Sequence, residues 1–148
     1  MLAISGKVYV DFGTLGLWKY DAGWTNPSSA NPNRIMAYNG RLVANFPVYG
    51  LFQHDGTAWS QLTANDSVQD LIGIGDSLYA DFGPLGLYRF NGTWTQISGA
   101  DPDSLGAYGQ KLVANFPSYG LYAYDGSGWS PLAQSSGVID MAGVDLPH

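Results

Sequence analysis

Apolar residues along the chain come in short runs, broken at regular intervals by Gly, Asn, Asp and Pro. No 11-residue stretch keeps a helical period. The pattern therefore predicts short strands joined by turns. The runs also repeat. Trp24, Trp59, Trp94 and Trp129 stand 35 residues apart. Ahead of each lies one phrase in four versions, ending in Asp11-Phe12-Gly13, Asn45-Phe46-Pro47, Asp81-Phe82-Gly83 and Asn115-Phe116-Pro117. Gly-Leu-aromatic follows at 16–18, 50–52, 86–88 and 120–122. A second period of 70 lies over the first: units one and three share Asp-Phe-Gly and a cation, Lys19 or Arg89, while units two and four share Ala-Asn-Phe-Pro. Such repetition outweighs local propensity.

Each unit reads as four strands, A to D. In the fourth they are Leu105–Tyr108, Leu112–Phe116, Leu121–Tyr124 and Trp129–Leu132. Asn39-Gly40, Gly75-Asp76 and Gly109-Gln110 mark the A–B hairpin, and Asp55-Gly56, Asn91-Gly92 and Asp125-Gly126 the C–D turn. A four-residue B–C loop at 13–16 would pair Phe12 with Leu17, and set Asp11 on a face with Tyr9, Trp18 and Tyr20. The same register groups Leu42, Ala44, Phe46 and Leu51 against Val43, Asn45 and Phe52. Both faces are then largely apolar, so the sheets should be covered on both sides.

The D–A connections are longer and polar. That rhythm suits a radial stack of meanders better than a β-solenoid, so the expected fold is all-β: a β-propeller of four-stranded antiparallel blades. The blades fall at about 2–34, 35–70, 71–104 and 105–138, within one propeller spanning 1–148. Ala3, Ala37, Gly73, Ala107 and Ala142 occupy one position of strand A, as expected where inner strands converge. Residues 139–146 read as an extra inner strand, with its A-like core at Ile139–Val144. The chain could close alone as a four-bladed ring, pair with a second copy, or be a fragment of a longer repeat. The even super-period favours a ring closed by oligomerisation, with a homodimer as the expected form.

Gly109-Gln-Lys-Leu-Val113, Gly120-Leu-Tyr-Ala-Tyr-Asp125 and Trp129 together resemble a Kelch-type blade, over the whole chain. Phe-Gly or Phe-Pro stands where that family has a Gly pair, and the units are shorter than its usual ~50 residues. Tachylectin-type lectin propellers look similar at the same coarse level. The resemblance implies a propeller fold and hints at glycan binding.

Composition narrows the function. Charged residues are only 12% of 148, against a usual ~25%. A net charge of −6 makes phosphate binding unfavourable, so neither nucleic acid nor an anionic membrane is an expected partner. No apolar run reaches membrane-spanning length. No export leader is visible near Lys7; the composition is compatible with an extracellular location, which stays open. Cysteine is absent, which excludes thiol chemistry and Cys-type metal sites. Only His54 and His148 are available as imidazoles, so no cofactor or metal is expected. Asp66–Asp70 and Asp101-Pro-Asp103 match no defined calcium loop.

The ligand-binding candidates are the loop tyrosines Tyr49 and Tyr119 and the strand polars Asp11, Asn45, Asp81 and Asn115. Each has a structural alternative: the tyrosines could tuck between blades, and the polars could bond a neighbouring backbone. The repeated tryptophans could stack on sugars, but they read foremost as staples holding strand D to another blade. Lys19 and Arg89 read as exposed at a blade edge, and His54 as a packing variant of Tyr20, Phe90 and Tyr124. Repeated units predict several equivalent weak sites rather than one catalytic centre. The expected function is thus non-enzymatic: multivalent, lectin-like carbohydrate binding at shallow sites. The alternative is a structural or assembly scaffold, engineered or fragmentary, with no small ligand. A protein–protein adaptor would need a large apolar patch on one rim.

Overall fold

The computed structural model describes residues 1–133. The chain divides after Val68 into two compact units, and each holds two blades. In the first unit, blade I is β1 (Leu2–Ile4), β2 (Lys7–Asp11), β3 (Leu17–Tyr20) and β4 (Trp24–Ser28). Blade II is β5 (Arg34–Tyr38), β6 (Arg41–Phe46), β7 (Gly50–His54) and β8 (Trp59–Thr63). In the second unit, blade III is β9 (Asp70–Ile74), β10 (Ser77–Asp81), β11 (Leu87–Phe90) and β12 (Trp94–Ser98). Blade IV is β13 (Ser104–Tyr108), β14 (Lys111–Phe116), β15 (Gly120–Tyr124) and β16 (Trp129–Ala133). Every blade is an antiparallel meander in chain order. This is the all-β, propeller-type blade architecture that the repeat predicts. The proposed strand at 139–146 and Ala142 lie outside the described residues.

The turn chemistry sets the hairpins. Asn39 and Gly40 both take positive φ, 50° and 71°, as a two-residue hairpin of the right twist requires. At the C–D turns, Asp55 Oδ1 accepts from the Thr57 and Ala58 amides, and Asp125 Oδ1 from Ser127 and Gly128. These bonds hold both carboxyls below the usual range, the Ala58 and Gly128 amides contributing most. The outer strands are largely exposed, and Pro27 and Pro131 sit there, where a missing N–H costs no ladder bond.

One register expectation is overturned. The B–C loop has three residues, not four: Phe46 pairs with Gly50, Asn45 with Leu51 and Ala44 with Phe52. In blade I, Asp11 pairs with Leu17 and Val10 with Trp18. A slip of one residue moves every side chain of strand C to the other face. Phe52 therefore joins Phe46, and Leu51 joins Asn45. Likewise Asp11 lies with Tyr9, Leu17 and Lys19 rather than with Trp18.

That register builds the core of each unit. Ile4, Tyr9 and Leu17 of blade I pack on Leu42 of blade II. Seventy residues on, Ile74, Tyr79 and Leu87 pack on Leu112 and Phe116. Leu17, Leu42, Leu87 and Leu112 are all 0% exposed, and each contributes about 1.5–3 kcal/mol by burial. The inner strands lie side by side, β1 against β5 and β9 against β13. Ala3, Ala37, Gly73 and Ala107 stand opposite Val8, Leu42, Leu78 and Leu112, so the small residues do share one position.

Candidate functional site

Each unit carries a cleft where its two blades meet. In the first unit the cleft is lined by Ser28 and Ala30, from the end of blade I, and by Phe46, Tyr49, Phe52 and Trp59 of blade II. In the second it is lined by Ser98, Ala100, Phe116, Tyr119, Tyr122 and Trp129, the same positions 70 residues later. The volumes are about 210 and 230 Å³. That is less than the ~300 Å³ at which drug-sized pockets begin, and it suits a single ring.

The floor is fixed by the tryptophans. The Trp59 Nε1–H donates to Pro27 O at 3.0 Å, and the Trp129 Nε1–H to Ile97 O at 2.9 Å. Each indole thus anchors to the outer strand of the preceding blade. Phe46 and Phe116 meet these indoles edge-on, with centroids 5.4 and 5.3 Å apart. Phe52 and Tyr122 pack on the same phenylalanines at 6.0 and 6.1 Å. Tyr49 and Tyr119 form the outer wall, each 65% exposed. Ser28 Oγ and Ser98 Oγ accept from the Ala30 and Ala100 amides, which leaves each hydroxyl proton free to donate. No lining side chain is charged.

The tyrosine loops are tight turns. Tyr49 N–H donates to Phe46 O, and Tyr119 N–H to Phe116 O. Pro47 and Pro117 set the first central position, and Val48 and Ser118 take the second at φ 78° and 70°. The Asp66 carboxylate accepts from the Val48 amide and ties down the first of these turns. Gln61 Nε2 also donates to Tyr49 O, at 3.0 Å; Pro131 stands in its place in blade IV.

The four strand polars lie outside both clefts. Asp11 Oδ1 accepts from Gly13 N–H, and Asp81 Oδ1 from Gly83 N–H, each at 2.8 Å. Asn45 is fully buried and donates to Asn33 Oδ1 and Asp66 O, at 2.8 and 3.1 Å. Asn115 is fully buried as well, and among the described residues its side-chain amide has no hydrogen-bond partner. The counterpart of Asp66 there, residue 136, lies outside the described residues. Of the six candidates, then, the clefts bring in the two tyrosines, while three of the polars bond loop neighbours. Phe46, Phe52 and their counterparts are not among the sequence candidates, and Trp59 and Trp129, weighed there as sugar platforms, read foremost as staples. The register slip hid Phe52 and Tyr122, although their aromatic character at a fixed spacing was visible.

The junctions behind the clefts differ. His54 is buried against Trp59, with ring centroids 4.8 Å apart, and its Nδ1 accepts from the Gly56 amide. Burial lowers its pKa; Lys19 and Lys7 push the same way, and Asp55 opposes. Tyr124 replaces it in blade IV, its hydroxyl donating to Gly126 O. Arg89 is not a free edge cation: it donates to Ser77 Oγ and Gly126 O, and so ties blade III to blade IV. Asn65 Oδ1 accepts from Ser67 N–H, closing a local turn. Among the described residues no three His, Asp or Glu side chains converge as a metal site, and no helix is long and apolar enough to cross a membrane. The chain matches no protein-family model and no curated protein sequence.

Proposed function

We propose that the protein is a non-enzymatic, multivalent carbohydrate-binding module whose repeated site is the aromatic cleft. The observation that carries this reading is the recurrence of one lining, two residues of an odd blade and four aromatics of an even one, at a spacing of 70 residues. Aromatic faces accept the C–H face of a pyranose, and the serine and tyrosine hydroxyls can bond its rim. An uncharged lining suits a neutral sugar. The shallow clefts imply weak single-site binding, which paired sites on one scaffold raise by avidity. The likeness to lectin propellers points the same way. A second copy of the chain is the proposed partner, completing a larger ring and adding sites; a single-chain mass in light scattering would exclude it.

The test is a glycan array together with melting in concentrated simple sugars. Binding to neutral glycans that is lost in the double variant Tyr49→Ala, Tyr119→Ala supports the reading. Silence on the array, with an unchanged melting temperature, sinks it. The scaffold reading draws on the indole anchors, which hold the blades together whether or not anything binds. It prevails if the double variant folds normally and no glycan is bound by either form.

A further inference from the structure

The two clefts differ at one lining position. Phe52 in the first is Tyr122 in the second, on the same strand and against the same phenylalanine partner. Among the described residues nothing bonds the Tyr122 hydroxyl, although it belongs to a half-buried side chain in the cleft wall. Of the other lining residues, Phe116, Ala100 and Trp129 have no acceptor on their side chains, and the Trp129 N–H, a donor, is committed to Ile97 O. A hydroxyl so placed is free to bond whatever enters the cleft. Phe52 presents a C–H edge at the same point.

We infer that Tyr122 makes the two clefts unequal and is the specificity-determining residue of the Trp129 cleft, where it bonds a hydroxyl of a neutral, equatorially substituted pyranoside that the Trp59 cleft holds by stacking alone. The inference rests on the carbohydrate reading of these clefts. An all-equatorial ring has flat C–H faces for the aromatics and directs its hydroxyls outward at the rim. One neutral hydrogen bond exchanged for water changes affinity about three- to tenfold. The Trp129 cleft is therefore the tighter site by that factor.

Each cleft carries its own reporter, since the Trp59 and Trp129 indole N–H groups are held in distinct hydrogen bonds and give separate proton–nitrogen signals. The probe is methyl β-D-glucopyranoside, titrated to high millimolar concentration against the whole chain. Both indole signals should shift, with the Trp129 site half-saturated at about three- to tenfold lower probe. Tyr122→Phe should weaken the Trp129 site to the level of the other. Phe52→Tyr should tighten the Trp59 site. This reciprocal exchange separates Tyr122 from the other nearby difference, Gln61 against Pro131. Equal midpoints in the native chain, or midpoints that ignore both exchanges, overturn the inference and leave the carbohydrate reading standing. No shift at either indole overturns the reading and the inference with it. Both variants keep ring volume, and unchanged indole positions without probe verify their fold.

Discussion

The B–C connections of odd and even blades have the same length and the same register, yet their polar anchors do opposite work. Asp81 of blade III accepts a hydrogen bond from the loop it precedes. Asn45 of blade II donates away from its loop, to Asn33 and to the backbone of Asp66. The cause lies two residues on. Gly83 has an N–H to give; Pro47 has none. A carboxylate before Pro47 would be buried facing acceptors, whereas an amide can donate to them. The pairing of Asp with Gly and of Asn with Pro is thus one choice made twice. It leaves the even loops free to carry tyrosine where the odd ones carry Leu15 and Leu85.

The comparison breaks most sharply at Asn45. Asn45→Asp puts an acceptor against two acceptors in a fully buried site, and should cost about 3 kcal/mol in urea unfolding. Asp81→Asn keeps an oxygen for Gly83 N–H and should cost about 1 kcal/mol or less. Equal losses would refute the division of roles. A smaller effect of opposite sign is expected at Val48, a β-branched residue held at φ 78°, whereas the odd loops take their positive φ one position earlier, at Gly13 and Gly83. Val48→Gly should stabilise by about 0.5–1 kcal/mol, read as a higher melting temperature; a loss would mean that the turn tolerates valine without strain.

The smallest effect separates the two units by pH. The folded pKa of His54 lies below the unfolded one, so between the two values the unfolded chain binds more protons. Stability is complete above pH ~6.5 and declines as pH falls from there through the lowered folded value. His54→Tyr, which copies the second unit, should flatten that slope while sparing the loss at lower pH, where Asp55 and Asp125 protonate. An unchanged slope would assign it to another group.

Much of this was legible in the chain. Fixed tryptophan spacing, Asn-Gly and Asp-Gly turns and polar D–A connections mark four strands in each unit, and in the fourth unit they place the strand ends to within one residue. The register was not legible. The glycine of this loop reads as unpaired, but the Gly16 carbonyl accepts from Phe12 N–H, and Gly50 and Gly120 pair with Phe46 and Phe116 at φ 107° and 111°, which shortens the loop by one. That single residue decides which aromatics line the clefts. Of the tryptophans read as staples, Trp59 and Trp129 hold the blades through the indole N–H and line the clefts with the ring. The Arg89 anchor was invisible for another reason: its acceptor, Gly126 O, is backbone 37 residues away.

Because Ser28 and Ala30 come from one blade and the aromatics from the next, no single blade contains a cleft. The shortest segment that holds a whole one runs from Ser28 to Trp59, across the boundary between repeats. A gene lengthened by one 35-residue blade would add material without a finished site. A gene lengthened by 70 residues adds one complete cleft with every copy. The double period is therefore the smallest parcel of whole blades in which this architecture can be inherited with its clefts intact.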